Sequence, residues 1–147
     1  MDKVLVRNIR LSDYEDFMSL NHEFNGIEIS KDSFASLILR EDEIVLVAEF
    51  ENKLVAFACA QVFVSVCYPT DQMELTEIFV DRAFRGSGIG SALVRRLERI
   101  GRERGVKEIR LETSSVNELA QKLYEKNEYL IKNRYVYCKS LELNGHS

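Results

Sequence analysis

The chain has 147 residues, 20 Lys+Arg against 24 Asp+Glu, and 46% hydrophobic and 30% charged residues, the make-up of one soluble globular domain over residues 1–147. No apolar run nears the roughly 18 residues needed to span a bilayer. The start, MDKVLVRNIR, lacks the apolar stretch of an export signal, so no membrane partner and a cytoplasmic location are expected.

The net charge of −4 weighs against nucleic acid as a partner, which requires an excess of Lys and Arg. That total hides an asymmetry: residues 1–81 hold 6 basic and 16 acidic residues, residues 82–147 hold 14 and 8. Halves of opposite sign fit partners of opposite sign, or an uneven spread of solvated charge. Cys59, Cys67 and Cys138 form no CxxC pair and have no His at ligand spacing. No metal site is expected, and a reducing compartment is the simplest setting.

In chain order, the alternation from Val4 to Ile9 predicts a strand within residues 4–10. Ser12 opens a helix, with Glu15 three residues later completing a capping box. Asn25-Gly26 ends that helix, and a second begins after Ser30. Two apolar runs, IVLVAEF and KLVAFACAQVFV, flank the polar turn Glu51-Asn52-Lys53 and read as a hairpin. MELTEIFV (73–80) is a strand, and Ile89, Leu93, Leu97 and Ile100 recur at helical spacing over 89–104. VKEIRLET (106–113) is a strand, and Asn117 to about Asn127 a helix. The alternating tail YLIKNRYVYCKSL predicts two short strands turning near Lys132-Asn133. The order is that of an α+β domain. Strands 73–80 and 106–113 form one parallel pair across a helix, in a sheet otherwise antiparallel.

The loop Arg85-Gly86-Ser87-Gly88-Ile89-Gly90-Ser91 joins a strand to a helix N-terminus. Glycine admits positive φ and lets an oxygen-rich group approach the backbone. The free N–H groups and dipole of the first helical turn attract anions, and Arg offers a forked donor. This is a diphosphate cradle, the plainer reading being a tight strand–helix turn. A Walker loop is absent, since no Lys lies in the segment. The near match to a dinucleotide fingerprint, Gly86-x-Gly88-x-x-Ser91, sits too far from its strand and follows an antiparallel pattern.

Arg85-Gly86-Ser87-Gly88-Ile89-Gly90 resembles the acetyl-CoA signature [QR]-x-x-G-x-[GA] of the GNAT superfamily of N-acetyltransferases, and Asn117, Ala120 and Leu123-Tyr124-Glu125-Lys126 resemble that family's N-x-x-A-x-x-[LF]-Y-x-K helix. The resemblance implies the GNAT fold, a mixed and mostly antiparallel sheet with one splayed parallel pair and about four helices. It also implies acetyl-CoA as co-substrate. Backbone groups of Ile78, Phe79 and Val80 would pair with the pantetheine arm, and a backbone N–H near Phe79-Val80 would meet the oxyanion. Arg85 to Ser91 would bind the pyrophosphate, Asn117 the pantetheine, and Tyr124 would protonate the departing thiolate. Two positions depart from the family pattern: Arg82 stands where many members have proline, and Glu128-Tyr129 replaces Gly-[FY].

Acyl transfer to an amine needs a neutral nucleophile, an oxyanion donor and a proton for the leaving thiolate. Glu77 is the candidate base, acting through water. By alternation it faces the side opposite Glu74 unless a bulge shifts the parity. A carboxylate that is merely solvated or paired with Arg is the other reading. His22, in the first helix, and His146, in the tail, are poor candidates. The acidic N-terminal half, with the connection Phe24–Glu28, and the tail around Tyr135 are expected to receive a cationic amine, small molecule or peptide. A homodimer is left open. An acyl-CoA-binding module without turnover is the alternative function.

Overall fold

The structure, a computed structural model, describes residues 3–143; His146 lies outside them. Five strands line up in chain order: β1 (Leu5–Asn8), β2 (Glu43–Phe50), β3 (Lys53–Phe63), β4 (Gln72–Val80) and β5 (Ile109–Arg110). Neighbours from β1 to β4 pair antiparallel, and β4–β5 is parallel. Helices α1 (Tyr14–Asn25) and α2 (Lys31–Ile38) cover one face of the sheet. Helices α3 (Ile89–Glu103) and α4 (Glu118–Lys126) cover the other. Covering both faces explains why β2 and β3 are almost continuously apolar. Leu46, Ala56 and Ala58 turn to the α3–α4 side, and Val47, Phe57 and Cys59 to the α1–α2 side.

Local chemistry sets the element ends. Ser30 caps α2 by accepting a hydrogen bond from the Ser33 N–H at 3.1 Å. The β2–β3 turn places Glu51 at φ 49° and Asn52 at φ 64°, the pair of left-handed residues that a two-residue hairpin of matching twist demands. The capping box expected at Ser12 and Glu15 does not form. A 3-10 turn, Leu11–Asp13, precedes α1, and the Asp13 carboxylate accepts from the Arg10 N–H at 2.7 Å. Arg7 also donates two hydrogen bonds to Asp13, at 2.8 and 2.9 Å, and one to Glu49 at 2.8 Å. This ion triad ties β1 to β2 and to the start of α1. The Arg7 guanidinium holds the Asp13 carboxyl below its ordinary range.

Two expectations fail at the C-terminal side. The strand expected over 106–113 is only Ile109–Arg110, and no strand forms among the described residues of the tail. Tail side chains such as Ile131, Tyr135 and Tyr137 lie exposed, and the expected pair of strands turning near Lys132-Asn133 does not form. Alternation favours a strand only where a partner edge takes up its backbone groups. No helix among the described residues is long and apolar enough to cross a membrane.

Candidate active site

The site begins with the unequal edges of β4. Toward β3 it is paired from Gln72 to Val80. Toward β5 only Met73↔Ile109 and Glu74↔Arg110 are paired, so from Leu75 onward that edge is free. The parallel pairing thus ends at Glu74 and Arg110, where the strands were expected to part. The Asp81 N–H bonds to the Val55 C=O at 2.8 Å, toward β3. By antiparallel alternation, Phe79 turns its N–H and C=O to β3, while Ile78 and Val80 turn theirs to the open slot. Of the expected trio, these two therefore offer backbone pairing to a ligand. The Arg85 Nε already donates to the Val80 C=O at 3.0 Å, with its guanidinium 5.6 Å from the centre of the Phe79 ring.

Beyond the strand, Asp81 caps a short 3-10 turn, Arg82–Phe84, by accepting from the Ala83 N–H at 2.9 Å. Arg82 fits this turn without the proline common in the family. Gly86 and Gly88 then take φ 80° and 88°, and a Cβ on either would meet no atom within 4 Å. The loop is therefore left-handed and open at both positions. Gly88 caps α3 with no side-chain hydrogen bond, which leaves the first amides of the helix, through Ile89, Gly90 and Ser91, available to an anion. The Ser87 hydroxyl turns back to the Phe84 C=O. Gly90 has another task, since a Cβ there would sit 3.3 Å from Leu123. Its lack of a side chain lets α3 approach α4. Ser91 is buried and accepts from Asn127 Nδ2 at 3.1 Å, so its hydroxyl also serves that helix contact. Ile89 is buried in the core.

Helix α4 supplies Asn117 and Tyr124. Asn117 Oδ1 accepts from the Ala120 N–H at 3.1 Å, capping the helix. Two turns later Tyr124 is buried on the α3 side of the core, and its hydroxyl has no hydrogen-bond partner among the described residues. Burial pushes the Tyr124 phenol further above its ordinary range, so it is protonated at neutral pH. Glu128 occupies the position where the family has glycine, and takes the left-handed conformation itself at φ 70°. The Tyr129 N–H reaches the Tyr124 C=O at 2.9 Å, which closes the helix in the usual way. The substitution leaves the turn unchanged.

The parity of Glu74 and Glu77 is shifted. The β3–β4 register runs Cys59↔Glu77 and then Ala60↔Leu75, so Thr76 is an extra residue of β4 without a partner. Glu74 stands opposite Gln61 and Glu77 opposite Cys59, which puts both carboxylates on the α1–α2 face. The bulge overturns the opposite-face expectation. Glu74 is engaged by Arg110 at 3.6 Å, whereas no cation lies within ion-pair distance of Glu77 among the described residues. Glu43, which the sequence reading missed, joins this face through Gln61, accepting from its Nε2 at 2.9 Å. Burial raises the Glu43 carboxyl above its ordinary range, and Glu77 adds to the effect. Only strand register reveals Glu43, because one glutamate in an acidic turn carries no signal of its own. His22 lies with Glu15, Glu23 and Glu28 along a depression of about 450 Å³ on α1, outside the slot.

A mixed sheet with one short parallel pair, a glycine-lined helix N-terminus and a buried tyrosine on the next helix make up the acetyltransferase fold that the resemblance implies. The model of the acetyltransferase (GNAT) family matches residues 6–129, and the chain belongs to that family. It is 30% identical to an uncharacterized N-acetyltransferase of Methanocaldococcus jannaschii over 131 residues, 82% of this chain and 58% of that protein. The chain thus spans little more than half the length of that relative. An aminoglycoside acetyltransferase from an uncultured soil metagenomic sample superimposes with a TM-score of 0.84 at 18% identity, covering 95% of this chain and 96% of its own. An aminoglycoside N-acetyltransferase in complex with CoA gives a TM-score of 0.81 at 19% identity, covering 94% and 95%. At such identities these two show the shared fold.

Proposed function

We propose that the chain is an N-acetyltransferase that moves the acetyl group of acetyl-CoA directly to a primary, cationic amine. The observation that carries this reading is the free edge of β4, followed after one short 3-10 turn by the open, left-handed glycine loop at the start of α3. One edge offers backbone groups to an extended amide-bearing arm, and the next segment offers amides to a diphosphate. Acetyl-CoA has that order of parts, and a turn needs neither feature.

Each residue then has a task. Ile78 and Val80 pair with the pantetheine, and the Val80 N–H donates to oxygen as negative charge develops there. Gly86 to Ser91 receive the pyrophosphate through backbone N–H groups, assisted by Arg85. Arg85 also holds the end of β4 through Val80, which draws its guanidinium toward the mouth of the slot. Asn117 has its carboxamide nitrogen left for the pantetheine, since its oxygen caps α4. Tyr124, a phenol and so neutral at physiological pH, gives its proton to the departing thiolate. Glu77, through water, takes the proton that leaves the ammonium before attack, and the second proton, lost from nitrogen after attack, returns to the Tyr124 phenolate. The thioester supplies the activated acetyl group.

The acceptor is a cation at neutral pH and meets an acidic surface. The half before residue 82 carries the excess of carboxylates, and Glu43, Glu74 and Glu77 share the sheet face beside the slot. Such a field raises the local concentration of cationic amines. The test is free-thiol release from acetyl-CoA with spermidine, a deoxystreptamine aminoglycoside and Nα-blocked lysine, alongside neutral and acidic amines. The cationic compounds are expected to turn over fastest. A panel led by neutral or acidic amines contradicts the acceptor class. CoA binding without thiol release from any amine contradicts the enzyme reading and supports a binding module.

A further inference from the structure

The bulge that turns Glu77 toward the acidic face also supplies a group that can hold it. Thr76, the unpartnered residue, lies between Leu75, which is buried in the core, and Glu77, which is exposed. Its hydroxyl donates to Glu77 Oε1 at 2.7 Å and lies 3.2 Å from the Cys59 C=O. A hydroxyl has one proton, and the shorter contact is to the ionised oxygen, where a hydrogen bond is strongest. The bulged backbone places this hydroxyl close to β3, 3.2 Å from the Cys59 C=O, so it reaches the carboxylate from the strand side. Thr is β-branched, so its χ1 is confined and the hydroxyl does not sweep through alternatives.

Glu77 needs such a hold. It is an exposed carboxylate on a flexible chain, without an ion-pair partner among the described residues, and Glu43 on the same face repels it. The thiol of Cys59, buried beneath it, is its other neighbour; burial first, and then the carboxylates Glu77 and Glu43, raise that thiol above its ordinary range. A free glutamate would visit several rotamers, and misplacement of a proton acceptor by about 1 Å can cost on the order of 100-fold in rate.

We propose that Thr76 is a positioning residue of the acyl-transfer site: the bulge places its hydroxyl against the Glu77 carboxylate and holds that carboxylate toward the acceptor amine. The inference rests on the reading of Glu77 as base. It assigns to the bulge residue a function beyond re-aiming its neighbour.

The test is a double-mutant cycle with Glu77→Gln, using the fastest amine of the panel and saturating acetyl-CoA. Thr76→Val is expected to lower kcat about tenfold and leave KM for acetyl-CoA within about twofold. Thr76→Ser restores kcat to within about twofold, and Thr76→Val adds less than about twofold in the Glu77→Gln background. A crystal structure of Thr76→Val is expected to show the Glu77 side chain in more than one rotamer, a readout independent of turnover. If valine disturbs the bulge, Thr76→Ala tests the same hydroxyl. An unchanged kcat for Thr76→Val beside an impaired Glu77→Gln overturns the positioning role while the base stands. So do effects that multiply in the double variant, or an unmoved Glu77 rotamer. A fully active Glu77→Gln removes the base and the proposal together.

Discussion

One strand of this molecule has two unlike edges. Along β3, β4 is paired at every position from Gln72 to Val80 except the bulged Thr76, and its backbone groups belong to the fold. Along β5 it is paired at two positions, and the rest of that edge faces an open slot. The same residues thus serve both purposes: Phe79 binds the neighbouring strand, while Ile78 and Val80 on either side of it remain available. Free strand edges are hazards that proteins usually cover. Here the free edge leads through one short 3-10 turn to an anion cradle, which is why it reads as a binding surface.

The comparison can be broken first on the open side. Gly88→Val places a side chain in a left-handed position and in open space that the proposed function gives to a diphosphate. CoA affinity by calorimetry is expected to fall about 100-fold, more than backbone strain of roughly 1–2 kcal/mol accounts for. On the closed side, Asp13→Asn removes one of the two carboxylates that Arg7 bonds and is expected to cost about 2–3 kcal/mol, lowering Tm by roughly 4–12 °C, with CoA affinity unchanged. The sign with pH follows from the depressed Asp13 carboxyl. Its stabilisation is present above the unfolded value of about 4 and is lost as pH falls through the folded value. Melting curves of Asp13→Asn should therefore flatten below that range where those of the wild type decline.

Smaller effects sharpen the contrast. Tyr124→Phe is expected to lower kcat by more than about tenfold with little change in CoA affinity, because in the proposed mechanism the ring packs and only the hydroxyl gives up a proton. Equal turnover would leave Tyr124 a core residue. Glu128→Gly relieves a left-handed non-glycine residue and is expected to raise Tm by roughly 1–4 °C, about 0.5–1 kcal/mol. No change in a differential scan would mean that Glu128 is not strained.

The legible parts of the site were those with local chemistry. The glycine loop, Asn117 and Tyr124 announce themselves by spacing, and the hairpin at Glu51-Asn52 by a polar break between apolar runs. The remaining features depend on pairing between distant segments. Nothing in MELTEIFV marks Thr76 as the extra residue, because a bulge is a property of two strands in register. That register moved Glu77 onto the face of Glu74 and brought Glu43 beside it. The same reasoning explains the short β5 and the unpaired tail, whose alternation shows what could be a strand without showing what pairs with it. Gly90 was read with the cradle, yet its close contact is to Leu123, which comes from another helix.

The central claim is that the free edge of β4 takes up the pantetheine arm, and residue-resolved amide hydrogen exchange by NMR tests it most directly. Without ligand, the N–H groups of Ile78 and Val80 should exchange faster than that of Phe79. Saturating CoA should slow the two and leave Phe79 unchanged. Saturation by CoA with no added protection at either Ile78 or Val80 would contradict the account.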